Sequence, residues 1–341
     1  MNIVIKNRLS VINQLLQNHD SLSVLGMPGS GISLLLKELA DNNPNQTIYI
    51  DVFGLSQLTP AALLEEVEKR LKAVNDKSPI TIYFAGFDQL QLTLDANLLQ
   101  ALHNLARRSG IQLVFGLCVS LKKLIPDSSF DSGLRLFGNV YYLHPYAPEE
   151  LRYLLSKYGP KSWEKNPKLK QYLTDCGGHF QLLLALLETS AVLQDTPSES
   201  IQLLFKNLYT HLLGTQRTII RRVSDGMKRV EPDEYLLGIG TIKKTSNGLE
   251  LFSPLFRDYL VSLNNKRLPA KERRLFLLLK RNLGQVVSKQ TIIDTVWGDE
   301  IISDWALNAL VYRLRKHPVF RNQGYEIQNH KKFGYVLAKN I

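Results

Sequence analysis

The last 76 residues, Lys266–Ile341, constrain the chain most, because they write out a whole small domain in order. Residues 268–280 place apolar side chains at helical spacing, and Pro269 stands near a first helical position. Gly284 is a candidate helix end. Val286 and Val287 follow, and then Ser288, a candidate N-cap for a second helix reaching Trp297 and Gly298. A third helix is expected from Ser303 to Lys316, with Pro318 to stop it. Two short alternating runs, 325–327 and 334–337, flank the polar loop 328–332 and predict a hairpin. Three helices and a terminal hairpin make a winged helix.

The third helix has two faces. At 100° per residue, Ala306, Leu307, Leu310 and Leu314 share one side, which should pack on the first two helices. Asn308, Tyr312 and Arg315 project from the other, flanked by Trp305, Arg313 and Lys316. Asn and Arg make the bidentate contacts that distinguish adenine and guanine in the major groove. Lys331 and Lys332, at the hairpin tip, are expected to meet phosphates or the adjacent minor groove. Charge points the same way. Residues 264–341 hold 15 Lys and Arg against 6 Asp and Glu, a charge of +9; the rest of the chain holds 27 against 25, a charge of +2. A basic module on a near-neutral body is the footprint of a nucleic-acid binder with a separate control or assembly part.

In the order of its residues this segment resembles the OmpR/PhoB-type DNA-binding domain of bacterial response regulators. The matching pieces are Leu268 to Leu279, Val286 to Gln290, Val296-Trp297-Gly298, Arg313 to Lys316, and Lys332 to Leu337. Leu310 and Tyr312 depart from it, standing where the family often has polar or basic residues. The resemblance therefore implies double-stranded DNA as partner but no particular sequence.

The first half reads differently. Ser21–Leu25 is a buried-strand run, and a helix is expected from Leu34 to Ala40. Between them lies Gly26-Met27-Pro28-Gly29-Ser30-Gly31-Ile32-Ser33. Strand, glycine loop and helix are the setting of a phosphate-binding P-loop, in which backbone N–H groups and a helix N-terminus face phosphate. Gly26, Gly29, Ser30, Gly31, Ile32 and Ser33 are its candidate nucleotide-binding residues. Ile32 stands where the pattern needs Lys, and it can neither reach the β- and γ-phosphates nor offset their charge. Further strands are expected at 47–51, 80–84, 111–116 and 140–143, separated by helices that include 60–74 and 96–108. That alternation predicts a parallel α/β sheet.

This layout resembles STAND-class and archaeal-type AAA ATPases over about residues 1–190. In those families the third strand ends in an acidic pair that serves magnesium and water. Ala85 and Gly86 occupy those positions here, followed by Phe87, Asp88, Gln89 and Leu90. Asp88 is either a helix cap or a displaced metal ligand. Leu143 to Arg152 looks like the entry to the helical lid, and Cys176-Gly177-Gly178-His179-Phe180 like the Gly-Gly-His-Pro turn, with Phe180 for Pro. His179 is then expected to be structural. Residues 200–263 carry helical stretches at 200–213, 215–227 and 232–237. A hairpin with Asn247-Gly248 at its turn and a closing helix from Pro254 to Leu263 follow, the order of a second winged helix.

The expected architecture is an α/β P-loop, AAA-like parallel-sheet domain (1–145) with a helical lid (146–199), followed by two winged-helix domains (200–263 and 264–341). Cys118 and Cys176 form no Cys-x-x-Cys pair and are expected as buried thiols. Residues 1–5 lack a signal-peptide pattern and no run approaches a membrane span, so a cytoplasmic protein is expected.

The functional expectation is a sequence-specific transcription regulator whose ATPase-like body has lost its catalysis. No catalytic residue, metal or required cofactor is assigned, and weak binding of ATP or ADP stays open. RNA polymerase, another protein or a second copy on DNA are further partner classes. Two alternatives stand beside this reading: an ATP-switched STAND regulator, and a DNA-recruiting adaptor of a defence or mobile-element complex.

Overall fold

The computed structural model describes all residues except 1–2, 19, 43–45, 75–78, 91–93, 109, 191–198, 228–229, 266–267, 299–301, 318–319, 321–323, 331–332 and 340–341. The chain divides into two compact units, residues 1–219 with 231–255, and residues 220–230 with 256–341.

The first unit opens with α1 (Ile3–Asn18), β1 (Ser21–Leu25), α2 (Ile32–Asn42), β2 (Thr47–Asp51), α3 (Pro60–Ala73), β3 (Ile80–Ala85), α4 (Ala96–Ala106) and β4 (Ile111–Leu117). The short α5 (Leu121–Leu124), α6 (Phe130–Phe137) and β5 (Val140–Tyr142) complete the sheet. All five strands are parallel, in the order β2-β3-β4-β1-β5. The central parallel strands are covered on both faces, and all five residues of β1 are buried, whereas the edge strand β2 alternates between buried and half-exposed residues. Phe84, Phe87, Phe115 and Phe137 form an aromatic cluster beside β3 and β4, with Phe84 and Phe115 stacked at 5.3 Å. Caps set the helix starts: Thr59 Oγ1 accepts from Ala62 N, and Asp95 Oδ1 from Leu98 N. The glycine loop leaves the carboxyl end of β1, where the strand order reverses, and feeds α2. This is the P-loop arrangement expected from the sequence.

Next come α7 (Pro148–Tyr158), α8 (Leu169–Asp175), α9 (Phe180–Ser190), α10 (Glu199–His211), α11 (Gly214–Ser224), α12 (Glu234–Gly238), the antiparallel pair β6 (Ile242–Thr245) and β7 (Gly248–Leu251), and α13 (Pro254–Asn265). Elements appear in the order expected for 200–263, but the boundary between the two units runs through α11 and α13. Gly177 has φ +56°, and a Cβ there would lie 1.8 Å from the carbonyl oxygen of Phe252, so only glycine permits this approach.

Within the second unit lie α14 (Ala270–Arg281), β8 (Val287–Ser288), α15 (Lys289–Trp297), α16 (Asp304–Lys316), β9 (Tyr325–His330) and β10 (Gly334–Lys339). Their core joins Leu275 and Leu279 of α14, Ile292 and Val296 of α15, and Leu307, Leu310, Val311 and Leu314 of α16 to Ile327, Tyr335 and Leu337 of the hairpin. Ser288 Oγ caps α15, as expected, and Ser303 Oγ caps α16. Three details differ from the sequence expectation. The sheet has three strands, β8-β10-β9, because Val287–Ser288 pairs with Gly334 and Tyr335. Both strands of the hairpin are longer than expected. Gly284 is not the helix end: α14 stops at Arg281, and Gly284 N instead donates to Leu337 O. Pro318, expected to end the third helix, lies outside the described residues.

Candidate nucleic-acid interface and phosphate loop

Helix α16 buries Leu307, Leu310 and Leu314 as expected and Val311 besides, while Ala306 is only half-buried; the opposite stripe is left at the surface. Trp305 is 79% exposed and Tyr312 60%. Asn308, Arg313, Arg315 and Lys316 are exposed as well. Lys316 Nζ sits 5.6 Å over the Tyr312 ring. Lys331 and Lys332 lie outside the described residues.

Three of the expected DNA readers already have partners within the domain. Arg313 Nε donates to Glu272 Oε1 of α14 at 2.8 Å, an ion pair whose carboxylate is 7% exposed. Arg315 donates from Nε and Nη2 to the Ile327 carbonyl of β9 at 3.1 and 2.6 Å. Asn308 Oδ1 accepts from the Tyr335 hydroxyl of β10 at 2.5 Å. Arg313 therefore ties α16 to α14, while Asn308 and Arg315 tie it to the wing. The helical period of α16 does not show these bonds, because the partners are remote in sequence. Nor does it point to Phe333, 72% exposed beside the wing, or to the pair Lys289–Asp304 at 2.9 Å. Hydrogen bonding to Asp304 raises the Lys289 pKa, and that pairing offsets the one acid in the first turn of α16.

At the other candidate site, Gly29 (φ +78°) and Gly31 (φ +98°) give the loop its left-handed turns. Ile32 is 6% exposed, Met27 1% and Leu36 fully buried, whereas Ser33 is exposed. The loop is docked on the start of α9. His179 Nε2 donates to Pro28 O at 2.8 Å, its Nδ1 accepts from Leu182 N at 3.1 Å, and Gln181 N donates to Gly29 O at 3.1 Å. These bonds make His179 structural; with no exposed surface, burial lowers its pKa to about 4. The Gln181 side chain lies directly against Gly29, and the Tyr146 hydroxyl against Gly31.

At the end of β3, Ala85 is fully buried and the Phe53 ring lies on Gly86, 2.9 Å from where a Cβ would stand. Asp88 is buried. Its Oδ1 accepts from Cys118 N at 3.3 Å, and burial raises its pKa. Among the described residues, no His, Cys, Asp or Glu cluster could hold a metal. Of the two thiols expected to be buried, Cys176 is, and burial raises its pKa to about 11; Cys118 is only half-buried, at the end of β4, and desolvation raises its pKa as well.

Residues 264–337 match the family described as "Transcriptional regulatory protein, C terminal". This segment is an OmpR/PhoB-type DNA-binding domain. A match 70 positions long, covering 18% of the chain, is 30% identical to the transcriptional regulator HilA of Salmonella typhimurium, and the match to HilA of Salmonella paratyphi A has the same extent. The chain spans only 13% of the length of these relatives. Among solved structures, the chain is similar to a Walker-type ATPase of Pyrococcus abyssi (13% identity, 75% of this chain and 95% of that one, TM-score 0.44). It is also similar to the RuvB Holliday junction branch migration motor of Thermotoga maritima (15% identity, 72% and 90%, TM-score 0.39). Neither likeness is near enough to bear on the chemistry of this chain. No helix among the described residues is long and apolar enough to cross a membrane.

In the regulatory domain, Arg313→Ala is expected to lower stability by about 1–2 kcal/mol, because Glu272 would keep its buried position without a partner. Chemical denaturation of the full chain measures this. Unchanged stability with weakened DNA affinity would return Arg313 to the DNA-reading residues.

Proposed function

We propose that the chain is a cytoplasmic, sequence-specific transcription regulator. In this reading its OmpR/PhoB-type domain reads double-stranded DNA, and its P-loop-like body regulates or assembles that domain without hydrolysing nucleotide. The stripe Trp305, Asn308, Tyr312, Arg315, exposed along a helix whose other face is locked into the domain core, carries the reading. Loss of hydrolysis is inferred from the buried Ile32 at the lysine position and from Ala85 and Gly86 at the acidic positions, since phosphoryl transfer works by positioning and charge stabilisation around the γ-phosphate.

The full-length protein is expected to enrich a defined sequence from a random duplex pool. Log affinity should fall by roughly 0.9 per phosphate contact for each decade of salt. Arg315→Ala and Asn308→Ala should each cost about 1–3 kcal/mol on the selected site and relax base preference locally. Lys316→Ala, Lys331→Ala and Lys332→Ala should weaken all duplexes alike. A full-length chain that prefers no duplex over a scrambled one would sink the proposal.

One observation favours a nucleotide-responsive variant of this reading. Gly29 and Gly31 keep a cradle's backbone turns, and the buried Ser30 Oγ beside them has no hydrogen-bond partner among the described residues. Magnesium-dependent phosphate release that disappears in Ser33→Ala would replace the inactive body with an ATP-driven switch.

A further inference from the structure

The Tyr335 hydroxyl bonds to Asn308 in the middle of the exposed stripe of α16. Tyr335 is 2% exposed, on the strand that pairs with both β8 and β9, so its ring cannot follow a ligand. The Asn308 oxygen faces the tyrosine and accepts from its hydroxyl, a short O–H···O bond. Burial raises the pKa of this phenol, so it remains a donor at neutral pH. An asparagine free in a groove can turn either end of its amide to a base, and it pairs with adenine by using both. Here the oxygen is engaged, and the end left for DNA is the NH2 group. Two turns along the same stripe, Arg315 is held by the Ile327 carbonyl, so the wing orients the helix side chains at two levels.

We propose that Tyr335 is a positioning residue for base reading: it fixes the Asn308 amide with its NH2 outward, so that Asn308 favours guanine, through N7 and O6, or thymine, through O4, over adenine, whose N7 acceptor stands beside an N6 amine that the outward NH2 cannot satisfy. The proposal rests on the DNA-reading function argued above. It differs from a structural role for Tyr335, which would weaken all duplexes together.

The test is selection from a random duplex pool with the full-length protein and three variants. Asn308→Ala marks the base position that depends on Asn308. At that position the parent is expected to prefer guanine or thymine roughly tenfold. Tyr335→Phe, which keeps the ring in the core, should reduce that preference to about twofold or admit adenine, with other positions and low-salt affinity unchanged. Asn308→Asp keeps an oxygen for the tyrosine but removes the donors, so preference should move to cytosine, whose N4 amine donates. This variant tests the idea even where Tyr335→Phe fails to fold. Adenine at the marked position in the parent, or a Tyr335→Phe profile identical to the parent's, would overturn the proposal while leaving DNA reading intact. A parent that enriches nothing overturns both.

Discussion

Ile32→Lys, the change that would complete the phosphate-loop pattern, is expected to destabilise the first unit by on the order of 3 kcal/mol and to confer no magnesium-dependent ATP hydrolysis. Ile32 is 6% exposed, and its branches fill the space above Gly26 and Gly116, at the ends of β1 and β4. A lysine there has two courses. It keeps its ammonium in an apolar niche, or it swings out and leaves a cavity; both lose the burial that isoleucine provides. The charge would also find no acidic pair, since Ala85 and Gly86 stand there and Phe53 covers Gly86. Denaturant unfolding and phosphate release, measured on parent and variant, check the two halves. An Ile32→Lys protein as stable as the parent that turns over ATP would mean that one residue had silenced a complete enzyme.

Acidification is expected to weaken the first unit by about 3 kcal/mol through His179 alone. Its pKa is lowered from 6.5 to about 4, by burial first, against hydrogen bonds that favour the charged form. Above pH 6.5 the imidazole is neutral whether the chain is folded or not, and it contributes no slope. As pH falls, the unfolded chain takes the proton first, so stability drains between about 6.5 and 4 and then levels off. His144 is lowered by burial as well and adds to the same slope, so the His179 share is a difference between proteins. His179→Gln keeps a donor for Pro28 O and should be flatter over that window. Stability curves of parent and variant that run parallel from pH 7 to 4 would remove His179 from the account.

Much of the fold was legible from residue order. The parallel strands emerged to within about a residue, the central β3 and β4 as apolar runs covered on both faces and β2 as an alternating run at the sheet edge. Helix starts were legible where a side chain caps the backbone, as at Ser288 and Ser303. Strand β8 was not, since two residues carry no period; Val287–Ser288 is a strand only because Gly334 lets β10 lie against it, with a Cβ there 1.9 Å from Val287 O. Gly284 misled for a related reason. Its positive φ serves a bond to Leu337 O from the hairpin, not the end of α14.

The candidate sites divide in the same way. Residue order determined the two faces of α16, because helical period is a local property, although Ala306 is only half-buried and Val311 joins the buried face. It also determined that Ile32, Ala85 and Gly86 stand where a P-loop enzyme needs charge. Only the tertiary structure decided what the exposed groups do with their hydrogen bonds. Arg313 lies 41 residues from Glu272, and Asn308 27 from Tyr335. Only it, too, brought His179 against Pro28 across 151 residues. Bonds of that reach depend on how separate elements pack, and no local pattern of apolar and polar residues encodes which distant donor meets which acceptor.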